Sequence, residues 1–257
     1  MMTFYNTTIS FSGLTFALVV GSRFIHISPV AYFVLIASYL ILLFYGSYYI
    51  GSNFYLRVLT KGDGIKKEIA FSFDDGPAGE YTRAILEVLD KYRVPAAFFC
   101  IGKNIAGSPG LLRELHEGGH LIGNHSFSHS PWFDLFSSGK MLAELRQTDA
   151  LIQEELGMRP RLFRPPYGVT NPSLASAVRQ GQYLVVGWTI RSLDTVIAEE
   201  QKLFQKICRS IRPGAIILLH DRGKATLSVL PRVIEYARQE GYLICRLDKM
   251  LNLNPYV

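Results

Sequence analysis

Apolar residues form one dense block at the start of the chain and a regular alternation through the rest of it. Between positions 1 and 56 the only charged side chain is Arg23. Residues 27–50 form an uncharged run of 24 residues, which as a helix would be about 36 Å long and would exceed the roughly 30 Å hydrocarbon core of a bilayer. Soluble helices rarely extend this far without a charge, so we interpret the run as a transmembrane helix rather than a buried helix of a soluble domain.

An earlier apolar stretch, residues 4–20, is interrupted by polar residues at positions 6–8. This stretch is either a second, shorter transmembrane span or no span at all. A second span would make a helical hairpin with its turn near Arg23 and Pro29. A cleaved signal peptide fits less well, because no Lys or Arg precedes the apolar stretch and no A-x-A-like site follows it. We therefore expect residues 1–56 to form a retained membrane anchor with one or two transmembrane helices.

From residue 68 to the end, short apolar runs alternate with amphipathic segments. Predicted strands lie at 68–73, 96–101, 120–123, 162–164, 183–188, 215–220 and 243–246. Predicted helices lie between them at 81–92, 109–117, 138–156, 171–179, 199–210 and 227–239. This order predicts parallel βα units, and therefore an α/β domain at 68–257 whose sheet is either open or closed as a barrel. Residues 57–67 are predicted to be a juxtamembrane linker.

The charge of the chain narrows the choice of partners but leaves the orientation of the anchor open. The formal net charge is +6, and Arg57, Lys61, Lys66 and Lys67 follow the apolar block, which suits an anionic lipid surface. The positive-inside rule places such a cluster in the cytoplasm, although large domains translocate despite nearby charge. No pattern is typical of nucleic-acid recognition. The three cysteines are widely spaced within apolar segments, which indicates small buried side chains rather than a disulfide framework.

Two adjacent carboxylates, Asp74 and Asp75, end the first predicted strand of the domain and are followed by a Gly-Pro turn. Strand ends are where α/β enzymes place their chemistry. Because successive side chains of a strand diverge, one acid can act as a metal ligand and the other as a proton acceptor. The alternative, from these residues alone, is an Asx turn that caps the following helix.

A pair of histidines, His125 and His129, follows a short apolar strand further along the chain. Their spacing of four residues would bring both imidazoles to one side of a helical turn. Two histidines and one carboxylate suit zinc and leave coordination positions open for water and substrate. The alternative is two unrelated surface histidines near a turn.

Three further polar clusters also follow predicted strands. The segment RPPYG, residues 164–168, has two prolines that stiffen the backbone, either to hold amide donors toward an oxyanion or simply as a rigid loop. The segment WTIRSLD covers residues 188–194. His220 ends the apolar strand IILLH, where burial and a nearby charge can tune an imidazole for proton transfer, although a buried structural histidine fits the same pattern.

Taken in order, the segments FDDGP, HSFSH, RPPYG, WTIRSLD and LLH resemble the five motifs of the polysaccharide deacetylase family, the NodB homology domain of carbohydrate esterase family 4. The resemblance covers residues 68–247. It implies a distorted, incomplete (β/α)7-type barrel and a divalent metal, usually Zn²⁺, with Co²⁺ or another divalent ion as alternatives. It also implies a hydrolase that cleaves a linear amide, the acetamide of an N-acetylated amino sugar.

Carried over residue by residue, the resemblance implies a metal site and two proton-transfer groups. Asp75, His125 and His129 match the metal ligands of the family. Asp74 matches its general base, and His220 matches its general acid.

The same resemblance implies supporting roles at other positions. Arg164 would orient the base, and Asp194 would stabilise the charged form of the acid. The backbone N–H of Tyr167 would complete an oxyanion site with the metal. Substrate contacts are expected from Leu218, which would line a pocket for the acetyl methyl group, and from Pro166 and Trp188.

The chain departs from the family pattern in the fourth segment. The family commonly has an acid three residues after the Trp and a second Trp after its second acid, whereas this chain has Arg191 and Thr195 at those places. The groove wall would therefore lack an aromatic platform. This departure puts the identity of the substrate in doubt, but it does not change the expected reaction.

We therefore expect a membrane-anchored, metal-dependent deacetylase of a cell-wall polysaccharide, either peptidoglycan or a chitin-like chain. Its expected partners are an N-acetylated glycan or glycolipid and the lipid bilayer, with no nucleic acid. The alternatives are a deacylase of a lipid-linked sugar at the membrane surface and a catalytically silent glycan-binding protein on the same barrel. The expected location is the cell membrane with the catalytic domain outside the cytoplasm, and the orientation is left open.

Overall fold

A computed structural model describes residues 2–257, and it begins with two packed helices. Helix α1 (Phe4–Gly21) and helix α2 (Pro29–Tyr48) are antiparallel and joined by a short turn. The hydroxyl groups of Thr8 and Tyr39 are hydrogen-bonded across the pair at 2.9 Å. The predicted helical hairpin, rather than a single helix, is therefore the arrangement that the chain adopts.

Within the described residues, α2 is the one helix that is long and apolar enough to cross a membrane. Its mean hydropathy is 2.0 over a window of which 6% is buried. Helix α2 begins where Ser28 accepts a hydrogen bond from the backbone N–H of Val30, with Pro29 in the first turn, where a missing N–H costs nothing. Whether one or both helices cross a bilayer stays a prediction.

The remainder of the chain is built on a curled parallel sheet. Its nine strands within the described residues are β1 (Val58–Leu59), β2 (Glu68–Asp74), β3 (Ala96–Cys100), β4 (Leu121–Asn124), β5 (Leu162–Phe163), β6 (Leu184–Val186), β7 (Ile190–Arg191), β8 (Ala215–His220) and β9 (Leu243–Ile244). The strand order is β1-β6-β5-β4-β3-β2-β8-β7, and β9 pairs with the start of β2. This half-barrel confirms the predicted α/β fold and its distorted (β/α)-barrel architecture.

Helices connect these strands. They are α3 (Glu80–Tyr92), α4 (Gly102–Ala106), α5 (Leu111–Glu117), α6 (Ser138–Leu156), α7 (Pro172–Gly181), α8 (Glu200–Ser210), α9 (Lys224–Gln239) and α10 (Leu247–Leu251). The predicted strands and helices all occur, with shifts of a few residues at their ends. The predictions missed β1, β7, α4 and α10, because elements of two to five residues are too short to show a period.

The start of the sheet lies inside the segment that we predicted to be a linker. Strand β1 pairs in parallel with β6, with Val58 opposite Val185, and Lys61 forms an isolated bridge to Ala215. Residues 58–61 therefore belong to the sheet. The helical hairpin is followed almost directly by the sheet domain.

The two faces of β2 show how the sheet separates core from site. Ile69, Phe71 and Phe73 pack outward against the helices, as part of the largest apolar cluster. The small residues Ala70 and Ser72 alternate with them and face the barrel interior. Because side chains alternate, the acid that follows on the same face as these small residues also points into the barrel.

We expect the outward-facing cluster to dominate the stability of the domain. Leu89 on α3 is fully buried in this cluster, so Leu89→Ala should lower the free energy of unfolding by about 2–5 kcal/mol. Leu135 is 77% exposed, so Leu135→Ala should change it by less than about 0.5 kcal/mol. Denaturant unfolding of the two purified variants measures both values, and equal losses would contradict this assignment of the core.

Candidate active site

The polar clusters that follow the predicted strands all lie at the carboxyl ends of the parallel strands. Strands β2 and β8 pair so that Asp74 stands opposite His220. Asn124 ends β4, and His125 follows it. In a parallel sheet these ends share one edge, so the clusters meet in one cleft.

Asp75, His125 and His129 form a group that could hold a metal ion. One donor atom from each side chain lies within 4.8 Å of the others. The Oδ1 atom of Asp75 is 3.5 Å from Nε2 of His125 and 3.4 Å from Nε2 of His129. His125 donates from Nδ1 to the backbone carbonyl of Arg164 at 2.7 Å, which leaves its Nε2 free to face the group.

A loop, and not a helical turn, brings the two histidines together, so the helical part of the prediction was wrong. Ser126 and His129 have positive φ angles of 65° and 46°. The backbone N–H of Ser126 donates to the side chain of Asn124 at 2.9 Å, and the N–H of His129 donates to the hydroxyl of Ser126 at 3.1 Å. These local bonds compensate for a backbone conformation that non-glycine residues rarely adopt.

The alternative in which the paired acids cap the following helix is also wrong. Helix α3 begins after Gly79, and no side chain caps its first turn. Asp75 has a positive φ of 75°, and its carbonyl accepts a hydrogen bond from Asn104 Nδ2 at 2.7 Å. The Asp75 carboxylate therefore turns toward the histidines instead of the helix.

The electrostatics of this group suit a divalent cation. Burial tends to raise the pKa of Asp75, but His125, His129 and Arg222 around the carboxylate outweigh it and hold the pKa well below its usual range. Burial and the neighbouring His125 lower the pKa of His129 to about 4. Near neutral pH the group thus offers an ionised carboxylate and a neutral imidazole, the forms that bind zinc.

Arg164 is the partner of Asp74 and is completely buried. Its Nη1 donates to Asp74 Oδ1 at 2.7 Å, while Nε and Nη2 donate to the carbonyls of Val186 and Gly187 at 3.2 and 2.9 Å. The guanidinium also lies 4.1 Å from the ring centre of Phe99. Burial lowers the pKa of Arg164 and Asp74 opposes this, but an arginine stays protonated in proteins. The Asp74 carboxylate is therefore held in one orientation beside a fixed positive charge.

His220 and Asp194 form the second charge pair. His220 donates from Nδ1 to Asp194 Oδ1 at 2.8 Å and from its backbone N–H to Oδ2 at 2.7 Å. The hydroxyls of Thr226 and Ser192 also donate to this carboxylate, at 2.6 and 2.8 Å. Burial would lower the pKa of His220, but the hydrogen bond and charge of Asp194 raise it overall. Burial likewise tends to raise the pKa of Asp194, and these hydrogen bonds lower it.

The metal-ligating group, Asp74 and His220 line one cleft with a cavity volume of about 160 Å³. Trp188 and Leu218, both expected to contact substrate, line it, as do Arg191 and Thr195 at the two departures from the family pattern. Pro166 does not line it: this residue is buried, and the preceding proline takes the place at the wall.

The loop after β5 forms the rest of the wall. Tyr167 has a positive φ of 58° and a side chain that is 49% exposed at the cleft. Gly168 has φ 73° and lies so close to the ring of Trp188 that a Cβ atom would collide with it. A glycine is therefore required here, and the loop and the indole hold each other in place.

Sequence reasoning missed three polar residues of the site. Arg222 forms an ion pair between its Nη2 and Asp75 Oδ2 at 2.8 Å, and lines the cleft. It lies two positions after His220 in LLHDR, so attention to the residues beyond the strand end could have found it. Ser192 and Thr226 carry no such pattern, because their importance comes only from contact with Asp194.

Comparison with known proteins places this arrangement in a family. A family model described as polysaccharide deacetylase matches residues 61–186. A Bacillus cereus protein named peptidoglycan-N-acetylglucosamine deacetylase is 32% identical over 194 residues, which are 71% of this chain and 70% of that protein. The chain belongs to the polysaccharide deacetylase family. It is accordingly an enzyme of the polysaccharide deacetylase class, as the five segments predicted.

Solved structures of polysaccharide deacetylases share its fold. The Bc1960 peptidoglycan N-acetylglucosamine deacetylase superposes with a TM-score of 0.73 at 27% identity, covering 77% of this chain and 94% of that one. BA3943 from Bacillus anthracis, described as a family 4 pseudoenzyme, superposes with a TM-score of 0.71 at 26% identity, covering 76% and 68%. The same half-barrel thus supports both active and inactive relatives.

The link between Asp194 and His220 can be measured directly. Asp194→Asn removes the negative charge that raises the pKa of His220, so we expect this pKa to decrease, with burial then pulling it below the ordinary value. An NMR titration of the imidazole measures the change. Asp63→Asn, a substitution of a surface acid outside the cleft, is the matched control. An unchanged His220 titration in Asp194→Asn would contradict the pairing.

Proposed function

We propose that this polysaccharide deacetylase is a membrane-anchored, metal-dependent enzyme that removes N-acetyl groups from the amino sugars of peptidoglycan. One observation carries the proposal. A group of three metal-ligating side chains lies in one cleft between an oriented carboxylate, Asp74 with Arg164, and an oriented imidazole, His220 with Asp194. Amide hydrolysis needs these components, because water must lose a proton and the leaving amine must gain one.

The metal ligands proposed are Asp75, His125 and His129. Two imidazoles and one carboxylate are a donor set typical of catalytic zinc, and cobalt accepts the same donors. A divalent ion bound there would supply positive charge that polarises the acetyl carbonyl and makes water more acidic. The pairing of Asp75 with Arg222 keeps the carboxylate ionised and its second oxygen occupied.

The proton transfers are assigned to Asp74 and His220. Asp74 accepts a proton from the water whose oxygen forms a bond to the acetyl carbonyl carbon. His220 then donates its proton to the amide nitrogen as the C–N bond breaks, so that acetate and a free amine leave. Each transfer typically contributes about 10²- to 10⁴-fold to the rate. Because the acid must be protonated, turnover should decrease as the pH rises through the raised pKa of His220.

The remaining cleft residues are proposed to hold the acetamide group. The backbone N–H of Tyr167, in the stiff loop after β5, would donate to the carbonyl oxygen as negative charge develops on it. Leu218, which is 3% exposed, would contact the acetyl methyl group. Trp188, fixed against Gly168, would contact the sugar ring.

The names of the relatives support peptidoglycan as the substrate. The Bacillus cereus and Bc1960 proteins are both named as peptidoglycan-N-acetylglucosamine deacetylases. N-acetylglucosamine residues of peptidoglycan are therefore our first choice, ahead of a chitin-like chain.

One observation favours a lipid-linked sugar as a second candidate. Thr170, two residues beyond Gly168, donates from its backbone N–H to the carbonyl of Ser47 at 3.1 Å and from its hydroxyl to the carbonyl of Gly46 at 3.0 Å. Both acceptors lie in the last turn of α2. If α2 crosses the bilayer, the loop of the active site is held at the membrane surface, where the sugar of a glycolipid would lie.

The two adjacent acids should have separable roles. Asp74→Asn should reduce turnover by about 10²-fold or more and leave the metal content unchanged. Asp75→Asn should lose metal, because an amide is a poorer and uncharged ligand. Acetate release from acetylated peptidoglycan fragments and elemental analysis of the purified variants measure the two effects, with Asp63→Asn as the unchanged control.

These measurements also test the class of protein. No acetate from any acetylated glycan or glycolipid with zinc or cobalt present, and no effect of Asp74→Asn, would overturn the enzymatic proposal. Retention of glycan without turnover, unaffected by removal of metal, would instead indicate a silent glycan-binding protein such as the BA3943 pseudoenzyme suggests for this fold.

The anchor is tested separately from the chemistry. Ile36 and Leu40 on α2 are 60% and 57% exposed, so Ile36→Lys with Leu40→Lys should release the full chain from neutral phosphatidylcholine vesicles in a flotation assay. Val196→Lys with Leu243→Lys, at exposed apolar positions of the catalytic domain, should not. A reporter fused after Val257 determines the side of the membrane, and a cytoplasmic result would exclude peptidoglycan.

A further inference from the structure

A large groove lies where the helical hairpin meets the catalytic domain. We call it the basal groove, and define it by the side chains of Phe4, Tyr55, Arg57, Arg161 and Arg179. Its volume is about 980 Å³, at the upper end of the range of sites that bind small molecules and cofactors. It is separate from the catalytic cleft and shares no lining residue with it.

The charge of the basal groove is entirely positive. Arg57, Arg161 and Arg179 line it, and none of its described lining residues is acidic. None of the three arginines has a carboxylate within ion-pair distance among residues 2–257. A guanidinium offers two parallel donors that match the oxygens of a phosphate. Three such groups around one groove therefore favour an anionic ligand.

The walls between the arginines are apolar. Val178, Val185 and Leu253 contribute side chains, and most of the other lining residues are also apolar or aromatic. A neighbouring groove of about 670 Å³ continues along the start of α1 and shares Phe4 and Tyr55 with the first. A ligand that fills both must carry a long apolar portion beside its negative charge.

The position of the groove relative to the hairpin suggests the source of such a ligand. The backbone N–H of Phe4, at the start of α1, donates to the carbonyl of Phe54, just after α2, at 2.8 Å. Both free ends of the hairpin are thus joined at the base of the domain. Lys61 adds a fourth positive charge at the same level. If the hairpin is inserted, this level is the lipid head-group region.

We propose that the basal groove binds one anionic phospholipid, with its phosphate between Arg57, Arg161 and Arg179 and its proximal acyl chain along the apolar wall. The inference rests on the membrane anchoring in the proposed function. It adds a specific lipid site to a hairpin that would otherwise contact the bilayer only through its apolar surface. The bound lipid would fix the angle between the domain and the membrane, and with it the height of the catalytic cleft.

The test compares two lipids on the full chain purified in detergent. We expect native mass spectrometry to show one retained phosphatidylglycerol and no retained phosphatidylcholine at equal concentration. The triple variant Arg57→Gln, Arg161→Gln and Arg179→Gln should bind phosphatidylglycerol about 100-fold more weakly. The control Arg93→Gln, Lys206→Gln and Arg209→Gln removes the same charge from outside the groove and should bind as the original chain does.

A single substitution keeps the test valid if the triple variant does not fold. Arg179 is exposed on α7, so Arg179→Gln should fold normally and bind phosphatidylglycerol about fivefold more weakly. Equal retention of the two lipids, equal losses in the groove and control variants, or occupancy by inorganic phosphate without any preference for phosphatidylglycerol would each overturn the proposal.

Failure of the lipid site and failure of the anchor give different results. Flotation with neutral vesicles and no preference for phosphatidylglycerol would keep the anchor and reject the lipid site. Selective retention of phosphatidylglycerol by a chain that does not float with neutral vesicles would keep the lipid site and reject the anchor.

Discussion

Both the barrel and the cleft depend on the hydrogen bonds of one buried group, the guanidinium of Arg164. A charge removed from water is costly unless every donor is satisfied. Each nitrogen of Arg164 has a partner, through Asp74 and Ser72 from β2 and the carbonyls of Val186 and Gly187 at the end of β6. Strands β2 and β6 are separated by three others in the sheet. The side chain therefore connects opposite sides of the half-barrel while it orients the proposed base.

Each charged group that is proposed to act in the cleft is paired with a group of opposite charge. The carboxylate of Asp74 is paired with a buried cation, and the imidazole of His220 is paired with a buried anion, so each proposed proton-transfer group is oriented by a partner of opposite charge. Between them, the proposed metal ligand Asp75 has its own cation in Arg222. The contacts of Thr170 with the last turn of α2 then link this cleft to the helical hairpin. The cleft and the helical hairpin are thus joined through one short loop.

Much of the site could be predicted because strand ends collect chemistry at one edge of a parallel sheet. The positions of Asp74 and His220 followed from the apolar runs before them. The path that joins His125 to His129 could not, because a loop with positive φ angles, held by side-chain hydrogen bonds, leaves no periodic pattern. The contribution of Thr226 was equally hidden, since a hydroxyl gains its role only from a partner 32 residues away.

The sequence by itself determined the order and type of the longer elements, since α6 and β8 begin and end where their periodicity predicts. These features depend on neighbours along the chain, through side-chain period, caps and apolar runs. Only the tertiary structure decided that β1 joins the sheet next to β6, that Pro166 turns away from the cleft, and that the start of α1 and the segment after α2 close a basic groove. Those outcomes depend on which distant surfaces meet, and local patterns along a chain do not carry that information.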